Sequence, residues 1–237
     1  MAHGARVHMI GRLLFASILS LGLGAGTQAL ANSGMPADAP PSVQILTFDV
    51  MRDGSNIGTH RVTIREAGDR REVDVAIDMA VKLAFVTVYR YTHRASEVWV
   101  GERLVSLDAS TDDNGTRTRV LAAAGETGLA VSGSGGSYSA PADTAPSSYW
   151  NRDKLNRSAL LDTQSGKLAT VANENLGATS MTADGRAQRV STYRVTGDLK
   201  ADLSYADDDS WIGLRFEARG AQIVYVRRSF DQIAQLR

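Results

Sequence analysis

Between residues 72 and 82 hydrophobicity alternates without a break: Val73, Val75, Ile77, Met79 and Val81 interleave with Glu72, Asp74, Ala76, Asp78, Ala80 and Lys82. A helix would scatter these apolar side chains around its circumference, whereas a strand puts all five on one face. A half-buried strand of this kind needs sheet neighbours that alternate in the same way. The flanking sequence supplies them. Residues 43–50 read as a strand, Arg52-Asp53-Gly54-Ser55 as a turn, and residues 58–66 as a returning strand with Val62 and Ile64 on one face and Arg61, Thr63 and Arg65 on the other. Ala67-Gly68-Asp69 turns the chain again. Residues 83–100, rich in Val, Tyr, Thr, Phe and Trp, continue as β and are too long for one flat strand, so a bulge or bend is expected.

Downstream, Leu104–Asp108 leads to the hairpin signal Asn114-Gly115, followed by short strands at 117–123 and 128–132. The stretch Ser132-Gly133-Ser134-Gly135-Gly136-Ser137, with Pro141 and Pro146, reads as a loop. It is not a phosphate cradle, because no lysine follows the glycines and no helix pattern begins there. Residues 149–161 suit one or two helical turns. Strands resume at 167–172, 188–196, 199–205, 211–218 and 221–228, with turns at Asp207-Asp208-Asp209 and Arg219-Gly220. The expectation is an all-β chain: a strongly curved antiparallel meander sheet or partial barrel of about ten strands, with a short central helix. A faint echo between Tyr91…Trp99-Val100-Gly101 and Tyr205…Trp211-Ile212-Gly213 fits duplication of a half-sheet, and fits the common repertoire of hairpins equally well.

The N-terminus reads as an export signal. Arg6 and Arg12 precede the apolar run Leu13–Leu23, no acidic residue precedes position 38, and Ala29-Leu30-Ala31 matches an A-x-A cleavage site. The run is about 11 residues, roughly half of what spans a bilayer, so no retained transmembrane segment is expected. The division that follows is 1–31 cleaved signal, 32–42 a proline-rich flexible leader, and 43–237 a single antiparallel β domain, periplasmic or secreted. With no cysteine in the chain, neither lipid anchoring through a lipobox nor a disulfide is available. Only four of the 26 basic residues are lysine, and the chain is alanine-rich, a bias typical of GC-rich bacterial genomes. The signal takes two basic residues and no acidic one out of 26 of each, leaving a net charge of about −2. That balance offers no attraction for nucleic acid.

Candidate chemistry is sparse. His60 and His93 are the only histidines beyond the signal, and both are read as surface or strand-end residues. A Cys/His zinc site is impossible, no G-x-S-x-G elbow is present, and Asp207-Asp208-Asp209 lacks calcium-loop spacing. Two carboxylates for glycoside hydrolysis could be drawn from Glu66, Asp78, Glu97 or Asp108, with nothing to select a pair. No catalytic residue, metal site or cofactor is assigned. The most unusual segment is Ser147-Ser148-Tyr149-Trp150-Asn151. Either these aromatics cap the mouth of a curved sheet and touch an apolar ligand, or Trp150 plugs the end of the core and Asn151 caps a helix starting at Arg152. Tyr149, Trp150 and Asn151, together with Tyr91 and Trp99, are the candidate ligand contacts.

The tail TYRVTGDLKADLSYADDDSWIGLRFEARGAQIVY, the central SSYWN and the opening FDVMRDGSNIGTHRVTI resemble uncharacterised exported bacterial proteins grouped as domain-of-unknown-function families. The resemblance spans most of residues 43–228. It implies a partial barrel similar in outline to the periplasmic lipoprotein carriers, and no catalytic residue comes with it. Three readings result. The first is a non-catalytic carrier of a hydrophobic small molecule or lipid in the curved sheet. The second is an envelope structural or interaction module that pairs with an envelope protein through its edge strands. The third is a hydrolase or isomerase with a site near His93 or Tyr149–Asn151. A large apolar cavity would favour the first and a filled core the second.

Overall fold

A computed structural model describes residues 41–234; the expected cleavage site at Ala31 and the leader up to residue 40 lie outside them, and Ser42, expected in the leader, opens the first strand. The described chain is one continuous sheet of fifteen strands. The first eight are β1 (Ser42–Arg52), β2 (Ser55–Ala67), β3 (Arg70–Leu83), β4 (Val86–Val100), β5 (Arg103–Asp113), β6 (Thr116–Ala124), β7 (Leu129–Gly133) and β8 (Gly136–Ala140). They meander outward from β1 to an edge at β8. The chain then crosses to the opposite edge through β9 (Ala145–Pro146) and β10 (Ala159–Leu161). It returns by β11 (Leu168–Ala183), β12 (Arg186–Gly197), β13 (Ala201–Ala206), β14 (Trp211–Ala218) and β15 (Ala221–Ala234). β15 pairs antiparallel with β1, so the two ends of the domain meet in the middle of the sheet. Every pairing is antiparallel except β9 with β10, where Pro146 occupies an edge, the place in a sheet where a missing N–H costs least.

The sheet closes on itself through a turn. Between β10 and β11, the Ser165 carbonyl accepts from the Ser134 amide (3.0 Å), Gln164 O accepts from Thr118 Oγ1 (2.7 Å) and Gly166 O accepts from Tyr138 Oη (3.0 Å). The β6–β8 edge is thus held against the far end of the sheet by a few hydrogen bonds in place of a strand ladder. Bending is helped where side chains are missing. At Gly58 a Cβ would lie 1.9 Å from the Asp78 carbonyl oxygen, so only glycine lets β3 approach that closely. Asn114 and Gly115, with φ of 53° and 93°, make the tight hairpin turn that the sequence signals.

The core lies on the concave face, and alternation builds it: Leu46, Phe48 and Val50 from β1, Val62 and Ile64 from β2, Val73, Val75 and Ile77 from β3. Each such side chain, once fully buried, contributes roughly 1.5–3 kcal/mol. β11, β12 and β14 add a smaller cluster of Ala183, Val190 and Ile212. Beside it the buried Arg227 guanidinium pairs with Asp184 at 2.6 Å.

Three expectations are corrected. The strands number fifteen where about ten were expected. The Gly/Ser segment is a hairpin, β7–β8, where a loop was expected. The central helix is a five-residue 3₁₀ turn, Arg152–Asn156. The strand count falls short because β7 to β10 are brief and because residues 172–180 of β11 are exposed throughout, leaving no alternation to detect.

Candidate binding cavity

Strand register sets the site. Directly opposed residues of an antiparallel pair point to the same face. Phe48, His60, Ile77, His93 and Thr111 are opposed in turn across β1 to β5 and form one row on the concave face. The next row runs Leu203, Leu214, Tyr225, Val50, Gly58, Met79 and Tyr91, from β13 through β15 and β1 to β4. Above these rows lies a cavity of about 520 Å³. Its walls are largely aliphatic and aromatic, with Ile77, Met79, Leu214, Phe216 and Ile223 among them, and its rim carries Arg52, Lys200 and the Asp113–Arg219 ion pair. That volume falls within the range of small-molecule sites.

Both histidines are buried, each 4% exposed, which corrects the surface assignment. His60 shares its alternation with Val62 and Ile64, and Trp211 of β14 and Tyr225 of β15 pack against it on that face. Its ring is packed among Phe48, Trp211 and Tyr225, with centroids 5.7, 5.2 and 5.3 Å away. Neither ring nitrogen has a hydrogen-bond partner. Burial, reinforced by the neighbouring His93, lowers its pKa to about 3. His93 is held between two threonines: Nδ1 lies 2.8 Å from Thr111 Oγ1 and Nε2 lies 3.5 Å from Thr163 Oγ1. Burial lowers its pKa to about 4, against the opposing pull of Asp162. Both imidazoles are therefore neutral at pH 7. The phenol groups of Tyr91, Tyr149 and Tyr225 are pushed up by burial, so they remain neutral donors and acceptors. The histidines and tyrosines of the floor are thus polar but uncharged, and Asp162, which accepts from the Gln164 amide (3.0 Å) and the Ser165 hydroxyl (2.5 Å), stands beside them in the lining.

The other end of the barrel is closed by a different arrangement. Glu97, 1% exposed, accepts at Oε2 from Trp99 Nε1 (2.8 Å) and from Trp150 Nε1 (3.0 Å), while Oε1 has no partner. The two indoles meet edge to face at 5.9 Å. Arg71 stands over the Trp150 ring at 5.2 Å, and the Lys154 ammonium, ion-paired with Glu102, lies 5.3 Å from the Trp99 ring centre. Burial raises the Glu97 pKa, which the Ser148 hydroxyl and the two indole donors only partly offset.

The sequence-derived contacts are thus divided between two places. Tyr91 and Tyr149 line the cavity; Trp99 and Trp150 belong to the closed end; Asn151 accepts from the Asp153 amide (3.0 Å) and caps the 3₁₀ turn. Tyr149, with a positive φ of 61°, divides the segment, and Tyr205 Oη donates to its carbonyl at 2.8 Å. Sequence reasoning reads His60 and His93 as surface or strand-end residues and has nothing to select Glu97 from the other carboxylates. The signal was parity: 91, 93, 95, 97 and 99 alternate on one face of β4, and all five are buried. Among the described residues no cluster of three or more His, Asp or Glu is placed to hold a metal ion.

No curated protein matches the sequence. Among solved structures the fold is similar to a β-barrel-like protein of domain of unknown function DUF1849 from Brucella abortus. The TM-score is 0.54 at 9% identity, over 81% of this chain and 98% of that one. At that identity the likeness concerns the fold alone. The family described as domain of unknown function DUF6134 matches residues 48–228, from the middle of β1 to β15 and across both ends of the barrel, so the chain belongs to the DUF6134 family.

Proposed function

We propose that this domain is a non-catalytic binding or carrier protein that holds a hydrophobic small molecule or lipid chain within its curved sheet. The observation that supports it is the 520 Å³ cavity, with aliphatic and aromatic walls, where a filled core would have favoured a structural module. Apolar groups of a ligand would lie against Met79, Ile77, Leu214 and Phe216. A polar group, if the ligand has one, would meet the neutral histidine and tyrosine groups and Asp162 at the floor, and Arg52 and Lys200 at the rim. The histidines give little support to an acid–base enzyme. Held at about 3 and 4, their pKa values are too low for an effective base near neutrality, and the groups hydrogen-bonded to His93 are threonines, not a carboxylate.

The test is extraction of the protein isolated from its own cells, followed by mass spectrometry of the organic phase. A stoichiometric apolar compound is expected. Ligand-stripped protein should then bind a fluorescent apolar probe such as N-phenylnaphthylamine, and Met79→Trp, which fills the cavity, should weaken that binding at least tenfold with little change in thermal midpoint. Repeatedly empty protein that also ignores the probe would remove the proposal.

A further inference from the structure

The β3–β4 hairpin projects four apolar side chains into solvent: Leu83 (72% exposed), Phe85 (101%), Val86 (64%) and Val88 (50%). A fully exposed phenylalanine at a hairpin tip has no packing role in the domain. The same strands lead into the cavity, since Val81 and Val88 line its wall on either side of the tip. The charge around the tip has one sign. From Met79 to Arg90 the chain carries Lys82 and Arg90 and no acidic residue. The acids of the adjacent β5–β6 hairpin are already engaged, Asp112 with Arg117 at 3.0 Å and Asp113 with Arg219 at 3.1 Å. Lys82, Arg90 and Lys200 are exposed, and Arg52 stands on the rim.

We infer that the β3–β4 hairpin is a docking element for an anionic lipid surface, inserting Leu83, Phe85 and Val86 so that the cavity mouth faces the bilayer. Size and charge favour a membrane over a protein partner. Four side chains on a narrow tip are far fewer than the roughly 20–30 residues a side of a standard protein interface. Insertion among lipid tails needs no complementary surface, only apolar groups with basic residues close behind them. The arrangement would bring an apolar molecule from bilayer to cavity along Val88 and Val81 without crossing open water. It stands on the hairpin and its charges, independently of what the cavity holds. Ligand extraction reads the cargo and vesicle binding reads the surface, so either can fail alone.

The experiment is flotation of the protein, as isolated from its cells, with vesicles of phosphatidylcholine containing about one-quarter phosphatidylglycerol, against vesicles of phosphatidylcholine alone. The protein is expected to float with the anionic vesicles and to be released by high salt. The double substitution Leu83→Ser/Phe85→Ser should lower the bound fraction at least tenfold, while Leu121→Ser, an exposed apolar residue on β6, should leave it unchanged. Both comparisons keep the same N-terminal segment. If the double variant fails to fold, Phe85→Trp serves instead: its emission should shift to the blue on adding anionic vesicles. Failure of the unaltered protein to float, equal flotation of a folded double variant, or no spectral shift would each overturn the inference. So would self-association in the absence of vesicles that the double variant abolishes, since the tip would then serve a second copy of this chain.

Discussion

Glu97 at the closed end of the barrel and His60 at the floor of the cavity are buried to nearly the same depth, and only Glu97 has hydrogen-bond partners. At the closed end one carboxylate oxygen of Glu97 receives two indole N–H groups, and flanking cations cover the indole faces. At the floor His60 is enclosed by three aromatic rings and has no partner for either nitrogen. A buried polar group with partners holds a structure together, whereas one without partners costs about 1–3 kcal/mol and calls for another explanation. The difference separates a part of the fold built for stability from a part where stability is given up.

The largest effect should come from the closed end. Glu97→Ala strands the N–H groups of Trp99 and Trp150 and leaves a void, a combined loss of about 3–5 kcal/mol. Glu97→Gln keeps an acceptor without a charge and should stay within about 1 kcal/mol of the unaltered protein. Urea unfolding at pH 7 measures both. If alanine and glutamine cost the same, the double-indole acceptor contributes nothing, and the contrast between the two regions collapses.

Acid separates the regions by sign. The imidazoles of His60 and His93 titrate near 3 and 4 when folded, below the ordinary 6.5, so between those values the unfolded chain binds more protons. Their contribution is complete above about pH 6.5 and is lost as pH falls, at roughly 1.4 kcal/mol per histidine per pH unit. Glu97 is opposite. Its folded pKa lies above 4.5, so the folded form binds more protons there, and its contribution falls as pH rises through that window. Unfolding free energies measured from pH 7 to pH 4 should therefore decline, with the two histidines outweighing one glutamate. Glu97→Gln should steepen the decline and His60→Phe should flatten it. A profile level from pH 7 to pH 4 would mean that the imidazoles are not held neutral.

Period-2 alternation made the sheet and its concave face legible, because burial on one side writes itself into every second residue of β1 to β4. The same parity carries His60, His93 and Glu97 inward; residue type alone points the two histidines to the surface and says nothing of Glu97, so only position in the alternation marks them. β11 was legible only at its start, since residues 172–180 face solvent on both sides and carry no pattern. The partners of Glu97 could not be read. Trp150 lies 53 residues away on the crossing segment, and only the closure of the barrel brings it there. The cavity was equally hidden, because its volume is the space the side chains fail to fill, set by the curvature of fifteen strands rather than by any one residue.

The smallest effect bears most directly on what the floor is for. His60→Phe replaces a ring with no hydrogen bonds by one that needs none, in a pocket already lined by Phe48, Trp211 and Tyr225. Removing a buried unpartnered group should be neutral or stabilise the domain by up to about 1 kcal/mol at pH 7. If the nitrogens serve a ligand, the same change should weaken binding of an alcohol or carbonyl compound while leaving a plain hydrocarbon of equal length unaffected. A loss of more than about 2 kcal/mol would show instead that the imidazole is partnered in solution. The floor would then be as structural as the closed end, and the apolar walls alone would remain to select what the cavity holds.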